Sequence, residues 1–195
     1  GLDCPSRKFT DVAGTTHWSH IGIDYVLRSS IFYGTGTTTF APDATMTRAM
    51  LVTVLYRIEG KPSVEGLTHP FQDVPENGWY NDAIIWAYNN GIISGISTTA
   101  FAPNSNTTRQ QIAAILYRYA KFRGYDTSMA ADLTAFPDSG TITDYAKEPM
   151  AWANAAGLIQ GSLDGEDLLL LPNQSATRAQ LAAILMRFMK NFVKG

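Results

Sequence analysis

Thr108-Arg109-Gln110-Gln111-Ile112-Ala113-Ala114-Ile115-Leu116-Tyr117-Arg118 reads as the start of an amphipathic helix. Threonine is a good N-cap, Gln111 three residues on completes a capping box, and Ile112, Ile115 and Leu116 fall on one face. The pattern recurs at Thr47-Arg48, with Leu51, Val54 and Leu55 in the stripe, and at Thr177-Arg178, with Leu181, Ile184 and Leu185. Copy three keeps the capping glutamine as Gln180. Copy one has Met50 there, so its helix is expected to start without the reciprocal side-chain bond. Six residues before each arginine stands a proline (Pro42, Pro103, Pro172), and nine residues after it a second arginine (Arg57, Arg118, Arg187). Self-similarity at fixed offsets makes this a chain of three repeats.

Working outward, each copy opens alike, as Phe9-Thr10-Asp11-Val12, Phe71-Gln72-Asp73-Val74 and Phe136-Pro137-Asp138-Ser139. An aromatic follows (Trp18, Trp79, Tyr145), and sixteen residues beyond it a glycine (Gly34, Gly95, Gly161). Between the two, copies two and three read as a helix, with Trp86-Ala87 matching Trp152-Ala153 and Gly91 and Gly157 at the C-cap. Copy one has Tyr25-Val26 and Ser30 in those places. Each unit is thus loop, helix, glycine-containing loop, second helix. Linkers at 60–70 and 124–135 divide the chain into 1–62 (with a lead-in), 63–125 and 126–195. The fold expected is mainly all-α, with second helices over 47–59, 108–121 and 177–190 burying their stripes in a three-helix bundle.

Composition limits the function. Of the 195 residues 45% are apolar and only 16% charged, with a net charge of −2, which argues against a nucleic-acid or polybasic membrane binder. No apolar run approaches the ~20 residues of a spanning helix, so no membrane insertion is expected, and the first residues lack a signal peptide's pattern. An export signal is expected outside this stretch. The single Cys4 rules out an intrachain disulfide framework.

The Phe-x-Asp-Val opening, the tryptophan-bearing helix, the Gly-Ile-x-x-Gly loop and the Thr-Arg helix start together resemble S-layer homology domains, in three tandem copies over about Phe9 to Lys190. The resemblance implies a single-chain pseudo-threefold trimer of repeats around a central helix bundle, with loop-rich outer lobes and grooves between neighbouring repeats. It also implies a noncatalytic module that anchors a larger exported protein to the extracellular bacterial cell wall or S-layer. The partner implied is secondary cell-wall polysaccharide, often one bearing ketal-pyruvylated N-acetylmannosamine. The alternative is a protein-interaction module in an S-layer or surface complex. The family's Thr-Arg-Ala-Glu is here Thr47-Arg48-Ala49-Met50, Thr108-Arg109-Gln110-Gln111 and Thr177-Arg178-Ala179-Gln180, with the arginine kept and the acid lost in every copy.

The candidate ligand-binding residues are Arg48, Arg109, Arg178, Asp11, Asp73, Asp138, Trp18, Trp79, Gly34, Gly95, Gly161, Gln111 and Gln180. A cation in a helix's first turn opposes the macrodipole, so each arginine calls for an anion. Two readings stand: an intrachain carboxylate from Asp11, Asp73 or Asp138, or a ligand carboxylate received by the arginine together with free helix N–H groups. The arginines are expected beside open grooves, with Arg109→Ala leaving the fold largely intact. The glycines read as positive-φ punctuation or as a groove floor for a sugar. Trp18, Trp79 and Tyr145 read as core anchors or as stacking platforms, and Trp86 and Trp152 as packing. Copy three's longer loop brings Asp164, Glu166 and Asp167 near its groove, so the Arg178 groove is expected to bind an anionic glycan least well and the Arg109 groove best. In the same loop, Leu168 to Leu171 read alternatively as replacing the anchor that Phe40 and Phe101 supply.

Chemistry finds little support. His17 and His20 are three apart and could share a helical face, yet no carboxylate or third histidine completes a recognisable zinc pattern, and the expectation is no metal and no cofactor. Gly34-Thr35-Gly36-Thr37 lacks the lysine of a phosphate-binding loop, and Asp164-Gly165-Glu166-Asp167 lacks the alternating oxygens of a calcium loop.

Overall fold

Every repeat contributes two helices. The computed structural model describes residues 4–193, in the order α1 (His20–Arg28), α2 (Arg48–Ile58), α3 (Asn81–Asn89), α4 (Arg109–Arg123), α5 (Lys147–Ala155) and α6 (Arg178–Phe188). Copy three's longer loop forms an antiparallel hairpin of β1 (Ser162–Asp164) and β2 (Asp167–Leu169), turning at Gly165 with φ 63°. The molecule is therefore mainly helical.

The helix starts follow the local chemistry. Thr108 and Thr177 accept from the backbone of Gln111 and Gln180, whose side chains bond back to the threonine N–H. Thr47 accepts from Met50 N–H alone, because methionine has nothing to return. At the other end of the shorter helices, Gly91 and Gly157 turn the chain at φ 69° and 71°. Ser30 is forced into the same left-handed region at φ 56°.

The chain forms two units that cut across the repeats. One joins the residues up to Met46 with those from Ala176 onward; the other is Thr47–Ser175. In the first, α1 packs on α6, and Gly22 lets them approach so closely that an added Cβ would lie 3.0 Å from the Ala183 backbone. In the second, α2 packs on α3 and α4 on α5. Each first helix thus lies against the second helix of the preceding copy, and α1 lies against that of the last. Trp86 of α3 sits among Tyr56 of α2 and Tyr119 and Phe122 of α4, and Trp152 of α5 packs edge-on to Tyr117 of α4. Leu55, Leu116 and Leu185 are all fully buried.

Candidate functional site

The N-termini of α2, α4 and α6 are occupied by the chain itself. Arg48 and Ala49 N–H donate to the carbonyls of Ser105 and Pro103; Arg109 and Gln110 donate to Gln174 and Pro172; Arg178 and Ala179 donate to Ala44 and Pro42. The third N–H goes to the capping threonine. This explains the proline that precedes each arginine by six residues: its carbonyl receives the helix start of another copy. The expected anion site at free helix N–H groups is therefore overturned, since these donors are already paired.

The arginines are likewise turned inward. Arg48 Nε donates to Phe101 O at 2.9 Å and Nη2 to Ser94 O; Arg109 Nε donates to Leu170 O at 2.8 Å and Nη2 to Gln160 O; Arg178 Nε donates to Phe40 O at 2.9 Å and Nη2 to Tyr33 O. Arg48 stacks over Phe101, and Arg178 over Phe40, at 4.5 and 4.6 Å from the ring centres. Their partners are backbone carbonyls and rings, where the sequence reading set a carboxylate against an open groove. Buried carbonyls and a buried guanidinium satisfy one another, which offsets the dipole penalty within the chain.

Asp11, Asp73 and Asp138 complete the same device from the other side. The two oxygens of each accept from consecutive N–H groups, of Phe40 and Ala41, Phe101 and Ala102, and Leu170 and Leu171, at 2.8–2.9 Å. Ala41, Ala102 and Leu171 hold φ of 56°, 58° and 52°, a strained conformation in a non-glycine residue. Carboxylate and guanidinium thus grip one peptide segment by its N–H and C=O groups. For Asp11 and Asp73 burial pushes the carboxyl pKa up, and the N–H bonds with the nearby arginine charge more than reverse that, leaving it below the ordinary value.

Of the two readings of the glycines, positive-φ punctuation fails, while Gly95 lines a pocket as a groove floor would. Gly34, Gly95 and Gly161 are absent from the positive-φ residues; an added Cβ would strike Phe9, Phe71 and Leu168 respectively, and at Gly95 also the carbonyls of Ser97 and Ala100. Close approach of the repeat's own opening phenylalanine or loop excludes a side chain.

An open pocket lies in the unit Thr47–Ser175. A pocket of about 440 Å³ is lined by Arg48, the loop Ile93 to Ile96, Gln111, Ala114, Ile115, Arg118 and Tyr145. Residues of all three copies line it. Arg48 spends Nε and Nη2 on carbonyls and still faces the pocket, while Arg118 lies half-buried on α4. Burial lowers the Arg48 pKa, Tyr145 and Asp73 work against this, and the like charge of Arg118 adds to it. Among the described residues lining the pocket none is acidic. Arg118 escaped the sequence-derived set, although it was visible as the arginine recurring nine residues after the first, and Tyr145 entered the sequence reading only as a core anchor or stacking platform.

Trp18, Trp79 and Tyr145 are exposed by 60%, 63% and 48%, so they are not core anchors, whereas Trp86 and Trp152 are buried. The groove ranking loses its premise, because each arginine works with the loop of the next copy. Gln160 and Leu170, which flank the acidic hairpin, are the acceptors of Arg109 rather than of Arg178. Glu166 and Asp167 line a small cleft with Phe136 and Pro137 of their own copy, and Leu170 is fully buried at the place of Phe40 and Phe101. Finally, the sequence pairs His20 with His17, but the structure sets it beside Cys4 and Asp24.

The S-layer homology domain pattern matches residues 8–49, 70–113 and 135–182. The chain belongs to this family. An endoglucanase of Bacillus sp. (strain KSM-635) is 31% identical over 177 residues, which are 91% of this chain and 18% of the enzyme. The surface-layer 125 kDa protein of Lysinibacillus sphaericus is 31% identical over 188 residues, 95% of this chain and 15% of that protein. The S-layer protein sap of Bacillus anthracis is 26% identical over 187 residues, 95% of this chain and 22% of that protein. The chain thus spans under a quarter of these relatives, and what relatives named as enzymes share with it is only this small part. S-layer homology domains are anchoring modules, and membership places the chain outside the cell, at the bacterial cell wall or S-layer. Among the described residues no helix is long and apolar enough to cross a membrane.

Proposed function

We propose that this chain is a noncatalytic anchoring module that binds secondary cell-wall polysaccharide carrying negative charge, with a pyruvyl ketal as the anionic group. It serves as part of a larger exported protein, in keeping with relatives in which the matched segment is a small share of a long chain. The observation that carries the reading is the pocket lined by both Arg48 and Arg118 with no acidic residue in its lining. An anionic sugar supplies the missing charge, the exposed Tyr145 offers its ring a stacking surface, and Gln111 and the loop at Gly95 offer polar contacts. The reading includes the closed pseudo-threefold arrangement implied by the family resemblance; small-angle scattering tests it, and an extended profile counts against it.

The functional test is binding of the chain to purified wall glycan before and after removal of pyruvyl groups. A charge-assisted contact contributes ~1.5–3 kcal/mol, so loss of pyruvate, or Arg118→Ala, is expected to weaken binding by roughly 10- to 150-fold. Equal binding of both glycans by wild type and Arg118→Ala would overturn the assignment.

A further inference from the structure

We propose that Cys4, His20 and Asp24 form a binding site for a thiophilic divalent metal ion, with Zn²⁺ the best match. None of these residues lines the Arg48 pocket. Cys4 leads into the short 3₁₀ turn Pro5–Lys8, and His20 and Asp24, one turn apart on α1, present one face to it. Cys4 Sγ lies 3.1 Å from His20 Nε2 and 2.9 Å from Asp24 Oδ2, and Nε2 is 3.2 Å from Oδ2.

The surroundings orient all three for coordination. His20 Nδ1 is 3.0 Å from Ala13 O, and since a carbonyl only accepts, Nδ1 carries the hydrogen. In the neutral ring this turns the Nε2 lone pair toward the thiol and the carboxylate. Asp24 Oδ1 accepts from Ser6 N–H at 2.9 Å, which aims Oδ2 at the same point. A histidine whose other nitrogen donates to a backbone carbonyl, beside a carboxylate fixed by an N–H, is the outer-shell pattern of metal ligands.

The donor set points the same way. Sulfur, ring nitrogen and carboxylate oxygen converge within 3.2 Å of one another, with Ser6 Oγ 3.5 Å from the sulfur. A metal ion satisfies all three at once and displaces the thiol proton. Bond lengths of about 2.0–2.3 Å place tetrahedral ligands about 3.3–3.5 Å apart, so the nitrogen–oxygen edge already fits and the two edges at sulfur open by roughly half an ångström. Thiolate with imidazole selects zinc over magnesium or calcium, which prefer all-oxygen sites. His20 and Asp24 are buried and Cys4 is half-buried, so an ion reaches the site from the Cys4 side. Bound metal clasps the 3₁₀ turn to α1.

The test uses the untagged chain in a thiol-free reductant. Zn²⁺ is measured after dialysis, Co²⁺ is titrated with optical detection, and alkylation of Cys4 is timed with and without Zn²⁺. The expected results are one equivalent of zinc, a thiolate-to-cobalt charge-transfer band, and alkylation slowed at least tenfold by zinc. Cys4→Ser, which retains a hydrogen-bonding group and is checked for folding by circular dichroism, is expected to lose the band, and Asp24→Asn to weaken zinc binding. Substoichiometric zinc, an unchanged alkylation rate, or undiminished zinc binding in Cys4→Ser would each overturn the proposal.

Discussion

Ser30 shows how much one residue's backbone decides. Its two counterparts are glycines in the left-handed region, and it adopts the same region with a side chain attached. Ser30→Gly is therefore expected to stabilise the fold by about 0.5–1 kcal/mol, read from the midpoint of urea unfolding. Asp73 makes a second case. Its carboxyl pKa is depressed in the fold, so the stability it contributes is fully present above the unfolded value of about 3.9 and is lost as pH falls through the folded value. Asp73→Asn is expected to be less stable at neutral pH, because an amide offers one acceptor to the two N–H groups of Phe101 and Ala102. Below pH about 4 its stability should fall less steeply than that of wild type, measured by unfolding across a pH series.

At the scale of the element, the second helices begin with an arginine that holds a loop, and α4 also presents Arg118 to the pocket. Arg48, in the first turn of α2, holds two loop carbonyls, so Arg48→Ala is expected to destabilise by about 2–3 kcal/mol in urea unfolding. Arg118, on the pocket side of α4, has no such duty to the loop, and Arg118→Ala is expected to leave the unfolding midpoint within about 0.5 kcal/mol of wild type. The helices themselves were legible in the sequence, because threonine caps, glutamines three residues on and apolar stripes are local signals. Burial of Trp86 and Trp152 was legible for the same reason. Which loop receives Arg48 was not, since spacing within a copy is silent about pairing between copies. The same blindness hid the approach of Cys4 to His20 and Asp24, and placed the acidic hairpin beside the wrong arginine. For the aromatics Trp18, Trp79 and Tyr145 the sequence left packing and stacking both open, because repetition marks a constrained position without saying whether the constraint is packing or contact with something outside, and their exposure removes the first.

At the scale of the whole molecule, the unit holding α1 and α6 draws on the two ends of the described chain, while the unit of α2 to α5 is continuous. Closing the first requires a loop from residue 28 to residue 178; the second needs only shorter closures. Pulse-labelled hydrogen exchange during refolding is expected to protect α2 to α5 before α1 and α6, and simultaneous protection would contradict this. The close seat of α1 at Gly22 then acquires a meaning in time. As the polypeptide is made, α1 emerges well before its partner α6, so its apolar face stays bare while α2 to α5 are synthesised. The α1 segment waits unpaired until α6 arrives, and the seal between them is one that only a chain completed through α6 can form.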